Sequence, residues 1–455
     1  LSKSNPTDHQ SFATLLVMGV QLLIASIATI IAPPVIIADQ LGLPAQDATL
    51  LISMSLIVTG FATFLQCRRF GSIGAGMIVV EGTNVTFIAV IVGFGQKMLR
   101  QGLSIESTLG TVFGTLLAVS LVVIAVSFVI KYVKRFFPPF VLGIVLALVG
   151  LCLLKVFMIA SAGGENVVSQ LGTSPESATT EMLKNLAVAL TVIVIMLAGQ
   201  FSRVKWISRG ATLWAFAAGI LLAWAFGIMP DYVPADKTVV LPEIMKYRPF
   251  GFHGGLFVSA LVLSLFYMLL NMGILSDLCR MYGIDPSSKE CTKRISGGLS
   301  VMGISGAISS LFCLLPTTHY AQINSMVELS GVKTRAAGYI TALMLVLIGL
   351  FPPVTALFVC IPQSVFGGIS LLLFGTIAVS GFQMIFSGSG SAHKELSVRT
   401  IMIIAVSLAL GLGVELYPVA VSVLPDVFTS GINVGGLCAV LMNWILPRPS
   451  HNLPK

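Results

Sequence analysis

Charged side chains are scarce in this sequence. Only 10% of the 455 residues are Asp, Glu, Lys or Arg, while 56% are hydrophobic; an ordinary soluble domain has roughly 25% charged residues. This composition excludes a soluble fold. The uncharged runs exceed the ~20 residues that a helix needs to cross a bilayer, and at roughly 30 residues per span and loop the chain has room for about fourteen crossings.

Several kinds of chemical site are also missing. The seven cysteines are scattered, with no CxxC pair and no zinc-like spacing. The sequence shows no nucleophile with a partner base and no glycine-rich phosphate loop. We therefore expect no enzyme, no metal site and no cofactor. The net charge of +8 does not indicate nucleic acid binding, because Lys and Arg occur singly or in twos and threes between apolar segments.

The apolar segments are continuous rather than alternating, as in residues 139–154 and 215–229. Continuous runs predict helices, whereas an outer-membrane barrel would show short alternating segments. The predicted fold class is therefore an all-α polytopic membrane protein with about fourteen transmembrane segments. The predicted spans begin near Phe12, Ala48, Gly76, Thr108, Pro139, Met182, Ala211, Gly254, Gly298, Pro316, Ala337, Ser364, Thr400 and Gly431.

The loop charges predict the orientation of these spans. With the N-terminus in the cytoplasm, the inside segments carry 19 of the 26 Lys and Arg residues, and every inside loop has at least two. This distribution agrees with the positive-inside rule and places both termini in the cytoplasm.

A short internal repeat supports two related halves. Gly143-Ile144, Leu146, Leu148 and Gly150 recur with the same spacing as Gly368-Ile369, Leu371, Leu373 and Gly375, in span five and span twelve. Since each half has seven spans, the second half must enter the membrane from the opposite side. The chain is therefore predicted to be a 7+7 inverted repeat, as in many secondary transporters. Helix packing alone would also favour small residues at such positions.

The third span of each half is interrupted by small and polar residues. In span three, Glu81-Gly82-Thr83-Asn84 follows a short apolar run, and in span ten residues 316–321 lead into Gln322 and Asn324. Each segment is predicted to be an extended piece followed by a half-helix. Extended backbone is tolerated in a membrane only where protein encloses it or where it lines a cavity. We expect the two half-helix N-termini to meet near the midplane and form a binding site. A pair of kinked helices is the alternative.

Only two acidic residues, Glu81 and Asp277, fall well inside predicted spans. An intramembrane carboxylate costs several kcal/mol unless it is paired, solvated or protonated, so Glu81 is the candidate for ligand binding and proton coupling, with helix capping as the alternative. Asp277 lies three residues before Arg280, with which it can pair. His319 can relay a proton, bind a ligand or make a structural hydrogen bond.

The remaining candidates are amides and aromatic side chains. Gln21, Asn271 and Gln322 each donate and accept hydrogen bonds, which suits a planar heterocycle edged with N–H and C=O groups. Interhelical hydrogen bonding is the structural alternative. Phe266 and Tyr267 lie beside Asn271 on one span and could stack on a flat ligand, or simply pack.

At these residues the sequence resembles the nucleobase-ascorbate transporters, the second nucleobase-cation symporter family, and especially its bacterial purine (xanthine and uric acid) permeases. The resemblance runs nearly end to end, through Gln21-Leu22-Leu23, Arg69-Phe70-Gly71, Asn84 and Leu350-Phe351-Pro352. In the family signature of span ten, Gln322, the base-binding position, and Gly331 match, whereas Ile323, Ser325 and Ser330 do not.

The resemblance implies a core domain, residues 1–135 and 231–360, and a gate domain, residues 136–230 and 361–455. It implies transport of a purine, pyrimidine or ascorbate with a proton or sodium ion, and a homodimer packed through the gate domains in the bacterial cell membrane.

The sequence departs from the family at its acids. Leu270 replaces a substrate-binding glutamate, Ile274 and Met302 replace aspartates of purine permeases, and Gln21 replaces a histidine, while Glu81 stands where glutamine is usual. One carboxylate has then moved across the site, or the protein is an uncoupled facilitator.

The leading hypothesis is a purine transporter that works by elevator-like movement of the core against the gate with proton coupling. An anion transporter of the same fold and a receptor without transport are the alternatives.

Overall fold

The computed structural model describes residues 11–130, 138–172, 174–204, 207–208, 210–230, 232, 234, 238–239, 242–387, 396–417 and 425–447. The first half contains α1 Phe12–Gln40, α2 Ala45–Cys67, β1 Glu81–Thr83, α3 Phe87–Arg100, α4 Ile105–Ser127, α5 Pro139–Ser161, α6 Glu165–Gln170, α7 Pro175–Gln200 and α8 Ala211–Ala225. The second half contains α9 Gly254–Met281, α10 Lys289–Leu311, β2 Thr317–His319, α11 Ala321–Ser330, α12 Arg335–Leu350, α13 Pro352–Val359, α14 Gln363–Ser387, α15 Val398–Leu416, a 3-10 helix Asp426–Thr429 and α16 Gly431–Ile445.

Eight helices within these ranges are long and apolar enough to cross a membrane, or nine if the bent pair α12 and α13 is one span. The others predicted as spans are the short helices α8 and α16, the two interrupted segments, and α10, which has 23 residues but is not among the apolar helices, so the count of fourteen stays a prediction. Ten cations used to predict the orientation lie outside the described residues: Lys3, Lys131, Lys134, Arg135, Lys205, Arg209, Lys237, Lys394, Arg448 and Lys455.

The eleventh predicted span differs from the sequence expectation of one helix. It is two helices, α12 and α13, whose axes meet at 84°. Pro352 and Pro353 begin the second helix. Neither proline has a backbone N–H to continue the hydrogen bonds of α12, whereas both tolerate the first turn of a new helix.

The two interrupted segments meet as predicted. β1 and β2 pair antiparallel, with Glu81 opposite His319 and Thr83 opposite Thr317. The backbone N–H of Asn84 donates to the carbonyl of Pro316 at 2.8 Å at the end toward α3, and the N–H of Tyr320 donates to the carbonyl of Val80 at 3.1 Å at the end toward α11. A two-strand pairing in the middle of a helical membrane protein satisfies backbone groups that lipid could not.

Neighbouring helices enclose the extended backbone before β1. Gly74 N–H donates to the carbonyl of Gly297 at 2.9 Å, and Gly76 N–H donates to that of Gln66 at 2.8 Å. The Arg294 guanidinium donates to the carbonyl of Gly76 at 3.0 Å. Protein groups of α2 and α10 therefore replace the helical hydrogen bonds that this segment lacks.

The two helices that carry the internal repeat, α5 and α14, pack directly against each other. A Cβ added at Gly143 would lie 2.8 Å from the carbonyl oxygen of Gly381, and one at Gly150 would lie 2.5 Å from the backbone nitrogen of Ala378. Glycine at these positions lets the two backbones approach closely, as small residues do in membrane helix pairs.

We expect Gly150→Ala to lower the melting temperature of the purified protein, because the added methyl group must push α5 and α14 apart. Gly375→Ala is the matched control, since Gly375 is the repeat counterpart of Gly150 and no atom lies within 4 Å of the added Cβ. Alanine is favoured over glycine in a helix by about 1 kcal/mol, so the control should melt at the same or a higher temperature. Equal melting temperatures for the two variants would contradict the close packing.

Candidate functional site

Glu81 lies at the centre of the paired strands and is fully buried. One carboxylate oxygen, Oε1, accepts hydrogen bonds from the hydroxyls of Ser305 on α10 and Thr317 on β2, the latter at 2.6 Å. The other, Oε2, accepts from the amide nitrogen of Gln66 on α2 and lies 3.4 Å from Nε2 of His319. Four side chains from three elements therefore surround this carboxylate.

These contacts show that Glu81 does not cap its half-helix. α3 begins at Phe87, and its N-cap residue, Thr86, has no side-chain capping bond; the N–H of Thr86 instead donates to Oδ1 of Asn84 at 3.1 Å. The carboxylate of Glu81 contacts side chains of α2, α10 and β2, not the N-terminus of α3. The capping alternative is therefore wrong, and the proton-coupling and ligand-binding alternatives remain for this residue.

Asn271 connects α9 to the second strand. Its Nδ2 donates to the hydroxyl oxygen of Thr318 at 2.9 Å and lies 3.2 Å from the sulfur of Met302, while its Oδ1 accepts the backbone N–H of His319 at 3.2 Å. The side chain is buried and its amide is fully engaged with protein groups. Asn271 therefore holds β2 in place beside α9.

Asn84 and Tyr267 line a small cavity of about 10 Å³ together with Met302 and Thr317. A cavity of this size holds about one water molecule. The Tyr267 hydroxyl forms a hydrogen bond with that of Thr86. These two predicted site residues therefore lie beside the paired strands but bind neighbouring protein groups in this structure.

Phe266 and Asn324 have structural contacts. Phe266 is buried, and its ring fills the space left by Gly436 on α16, where a Cβ would come within 2.5 Å of it. Asn324 donates to the carbonyl of Ile274 at 2.9 Å, which fastens α11 to α9. The structural alternatives therefore apply to both side chains: Phe266 packs against α16, and Asn324 forms an interhelical hydrogen bond.

Gln21 on α1 and Gln322 in the first turn of α11 differ from the other candidates. Both are half-buried, and within the described part of the chain neither side-chain amide has a hydrogen-bond partner. α11 also begins without a side-chain capping bond and is followed by Gly331, which adopts the left-handed conformation that suits a helix C-terminus. Gln322 therefore presents a free donor and acceptor at an uncapped, electropositive helix end.

The sequence analysis missed Gln66, Ser305 and Thr317 as partners of Glu81. The available signal for Gln66 was its position as a polar residue in the last turn of an apolar helix. Asp277, the other acid inside a predicted span, lies on the surface and pairs with Arg280 at 3.7 Å, as predicted.

A cavity of about 900 Å³ lies away from the paired strands. Its lining includes Asp39 at the end of α1, Lys184 and Asn185 on α7, and Gln363 at the start of α14. None of the nine predicted site residues lines it. With the predicted orientation, these segments all lie at the outer side of the membrane.

Comparison with known proteins identifies the family. Residues 13–420 match the family model Xan_ur_permease, described as a permease family. The xanthine permease XanP of Escherichia coli is 31% identical over 97% of this chain and 93% of its own, and XanQ of the same organism is 30% identical over 98% and 95%. The transmembrane domain of the cyanobacterial bicarbonate transporter BicA has the same fold, with a TM-score of 0.61 at 16% identity over 94% of this chain and 96% of that one. The fold is thus the 7+7 inverted repeat, and the chain belongs to the permease family of nucleobase-ascorbate transporters.

Proposed function

We propose that this protein transports a nucleobase across the cell membrane and that the nucleobase is an oxopurine of the xanthine type. The observation that carries the proposal is that the amides of Gln21 and Gln322 have no hydrogen-bond partner among the described residues, in a chain that is about 30% identical to xanthine permeases over nearly its full length. An oxopurine presents N–H and C=O groups along the edge of a flat ring. A primary amide donates and accepts in one plane and can therefore pair with that edge.

The start of α11 supports the same binding site. Its first backbone N–H groups and positive dipole end attract carbonyl oxygens and partial negative charge. Gln322 extends from this first turn, so one ring can contact the helix end and the glutamine amide together. The ligand then needs no charge of its own.

Transport requires this site to face each side of the membrane in turn. We propose that the core, residues 1–135 and 231–360, moves against the gate, residues 136–230 and 361–455. The packing of α5 on α14, both within the gate, supports the division, because these helices form one close-packed unit through Gly143 and Gly150. We also propose a homodimer joined through the gate domains.

Glu81 is the proposed coupling residue, and the coupling ion is a proton. Its carboxylate is fully buried, and its described partners are side chains of the protein. A group in such a position is better suited to gain and lose a proton than to touch the substrate directly. Coupling to Na⁺ and uncoupled facilitation are the competing versions of the mechanism.

An anion carrier of the same fold is not favoured. The likeness to BicA, at 16% identity, shows the fold alone. XanP and XanQ are 31% and 30% identical to this chain, which is about twice the identity of BicA. No observation specifically favours the alternative that the protein is a receptor without transport.

The proposed substrate is tested by a thermal-shift screen of the purified protein with nucleobases, ascorbate, sulfate and bicarbonate. A ligand that binds only the folded state raises its stability by about 2.7 kcal/mol at a hundred times its Kd. We expect a clear rise in melting temperature with xanthine or another oxopurine and no rise with the anions. A rise with an anion alone would overturn the proposed function.

We further propose that both termini lie in the cytoplasm, with the chain in the bacterial cell membrane. Cysteine substitutions at Asp236, which lies outside the described residues, and at Lys333, which follows α11, test this orientation. The Asp236 variant should react with impermeant thiol reagents on intact cells, and the Lys333 variant only after the membrane is opened. The seven native cysteines are first replaced by serine or alanine. Reaction of both sites from the same side would exclude the proposed topology.

A further inference from the structure

Asn433 joins the proposed gate to the proposed core. It lies in the first turn of α16, and its Nδ2 donates to the carbonyl oxygen of Ser259 on α9 at 3.1 Å and to the Ser259 hydroxyl at 2.6 Å. Both side chains are buried. A carbonyl oxygen only accepts, so the nitrogen of the amide, and not its oxygen, must face Ser259. This contact therefore crosses the boundary along which the core is proposed to move.

The same two helices also fit each other by shape. A Cβ added at Gly436 on α16 would lie 2.5 Å from the ring of Phe266 on α9, so glycine leaves a notch that this ring fills. Gly436 lies about one turn beyond Asn433, and Phe266 lies about two turns beyond Ser259, so each pair shares one face of its helix. The hydrogen bond and the ring together set a single register between α9 and α16.

A second hydrogen bond crosses the same boundary at the end of α1. Nδ2 of Asn166 on α6 donates to Oδ1 of Asp39 at 3.3 Å. Both residues line the cavity of about 900 Å³. None of the predicted site residues lines that cavity, so it ends before the paired strands. With the predicted orientation, this contact and the one between Asn433 and Ser259 both lie toward the outer side of the membrane.

Each of these contacts leaves one oxygen without a partner. Among the described residues, Oδ2 of Asp39 and Oδ1 of Asn433 are the carboxylate and amide oxygens that are buried with no hydrogen-bond partner. An unpaired buried acceptor costs free energy. Asn271, by contrast, joins two elements within the core, and both atoms of its amide are engaged. The boundary contacts therefore stabilise this position of the core less than fully paired contacts would.

We propose that these contacts form a latch on the outer side, which holds the core in the position that closes this side. The outer latch consists of Asn433 with Ser259, Gly436 with Phe266, and Asn166 with Asp39. When the core moves to its other position, both hydrogen bonds break and the ring leaves its notch. The incomplete pairing of Asp39 and Asn433 keeps the latch weak enough to open in each cycle. The inference rests on the proposed movement of the core against the gate.

The latch also positions the proposed substrate site. The gate holds α9 at Ser259, and the same helix carries Asn271, whose Oδ1 accepts the backbone N–H of His319 on β2. Gln322 lies in the first turn of α11, which follows β2. Asn433 is therefore a positioning residue: it acts through α9 and not on the ligand, and it sets the depth in the membrane at which the site lies.

Distances between two spin labels on the purified full chain test the latch without any nucleobase. One label replaces Arg100 at the outer end of α3, in the core, and the other replaces Trp224 at the outer end of α8, in the gate; both side chains are exposed. The seven native cysteines are first replaced by serine or alanine. We expect two distances, of which the one that matches this structure is the more populated.

Two substitutions each remove one hydrogen bond of the latch. Ser259→Ala leaves one hydrogen of the Asn433 amide without its acceptor, and Asn166→Ala removes the donor on α6. Each should raise the ratio of the second distance to the first by roughly 2- to 13-fold, which corresponds to about 0.5–1.5 kcal/mol for one hydrogen bond. Ser264→Ala is the matched control, because Ser264 is a buried serine of α9 whose hydroxyl donates within the same helix. It should leave the ratio unchanged.

Gly436→Ala should also favour the second distance, because the added methyl group occupies the notch of the Phe266 ring. Gly413→Ala is its control in the gate, since no atom lies within 4 Å of a Cβ placed there. Asn166 is exposed, so its substitution keeps the test available if a buried variant does not fold.

Distances that stay unchanged in Ser259→Ala, Asn166→Ala and Gly436→Ala, or that change equally in the two controls, overturn the latch. Since no nucleobase is present, these outcomes are independent of the thermal-shift screen. A screen without an oxopurine response overturns the proposed substrate alone.

Discussion

Replacing Gln322 by alanine should weaken oxopurine binding by about 1–3 kcal/mol, which is roughly a 5- to 150-fold rise in Kd. The reason is that the amide pairs with the edge of the ring, and its loss leaves a buried donor or acceptor of the ligand without a partner. Isothermal titration of the purified variant with xanthine measures the change.

The same substitution should leave the stability of the empty protein unchanged. The Gln322 amide has no hydrogen-bond partner in the described residues, so its removal breaks no protein contact of that kind. This separates Gln322 from Asn271 and Asn324, whose amides hold helices and strands together and whose loss should lower the melting temperature.

Gln200→Ala is the matched control, because Gln200 is an exposed glutamine at the end of α7. It should bind xanthine with unchanged affinity. If Gln322→Ala binds as tightly as this control, the substrate site lies elsewhere in the molecule.

The paired strands could be predicted from the sequence because membranes restrict the backbone so strongly. Small and polar residues around Glu81 and around His319 cannot continue a lipid-facing helix, and the inverted repeat required the two segments to approach each other. The structure confirms that approach as antiparallel pairing. The bend at Pro352 was less predictable: two consecutive prolines favour the start of a helix, but Pro33 and Pro34 lie inside α1, which continues through them.

The partners of Glu81 could not be predicted in the same way. Gln66 is fifteen residues away and Ser305 more than two hundred, so their contact depends on how α2 and α10 pack around the strands. Hydrophobic patterns indicate which segments are buried but not which helix faces which. A single polar residue in an apolar helix therefore indicates that a partner exists without saying where it is.

Glycine positions illustrate the same limit at the level of packing. Gly150 and Gly375 are equivalent in the repeat, yet only Gly150 lies against another backbone, while no atom lies within 4 Å of a Cβ placed on Gly375. The repeat predicted which helices correspond. It did not predict which of their glycines form the contact, because that depends on the rotation of each helix in the bundle.

Replacing Glu81 by glutamine should abolish accumulation of the nucleobase against its gradient while binding and exchange continue. A neutral substrate carried with one proton can be concentrated about 50-fold per ~100 mV of membrane potential, since moving one charge through that potential is worth about 2.3 kcal/mol. Without the titrating group this driving force is lost, and the ratio of inside to outside concentration should fall to about one. Uptake of radiolabelled xanthine into energised vesicles measures accumulation, and efflux from preloaded vesicles measures exchange.

The glutamine variant keeps the shape of the cluster, which makes the result interpretable. Its side chain resembles a protonated glutamate, because it places a donor opposite Gln66 and an acceptor opposite Ser305 and Thr317. The same position lies 3.4 Å from Nε2 of His319, which can accept from the new amide. We therefore expect this variant to fold and to bind xanthine with an affinity that no longer varies with pH over the range in which the unmutated protein responds.

Asp277→Asn is the control for loss of an acid on a membrane helix, because Asp277 lies on the surface and pairs with Arg280. It should accumulate xanthine like the unmutated protein. If Glu81→Gln instead loses binding altogether, Glu81 anchors the ligand and the proton is carried elsewhere. If it concentrates xanthine at the unmutated rate with the same pH dependence, Glu81 has neither role, and the buried carboxylate serves only to join β1 to α2, α10 and β2.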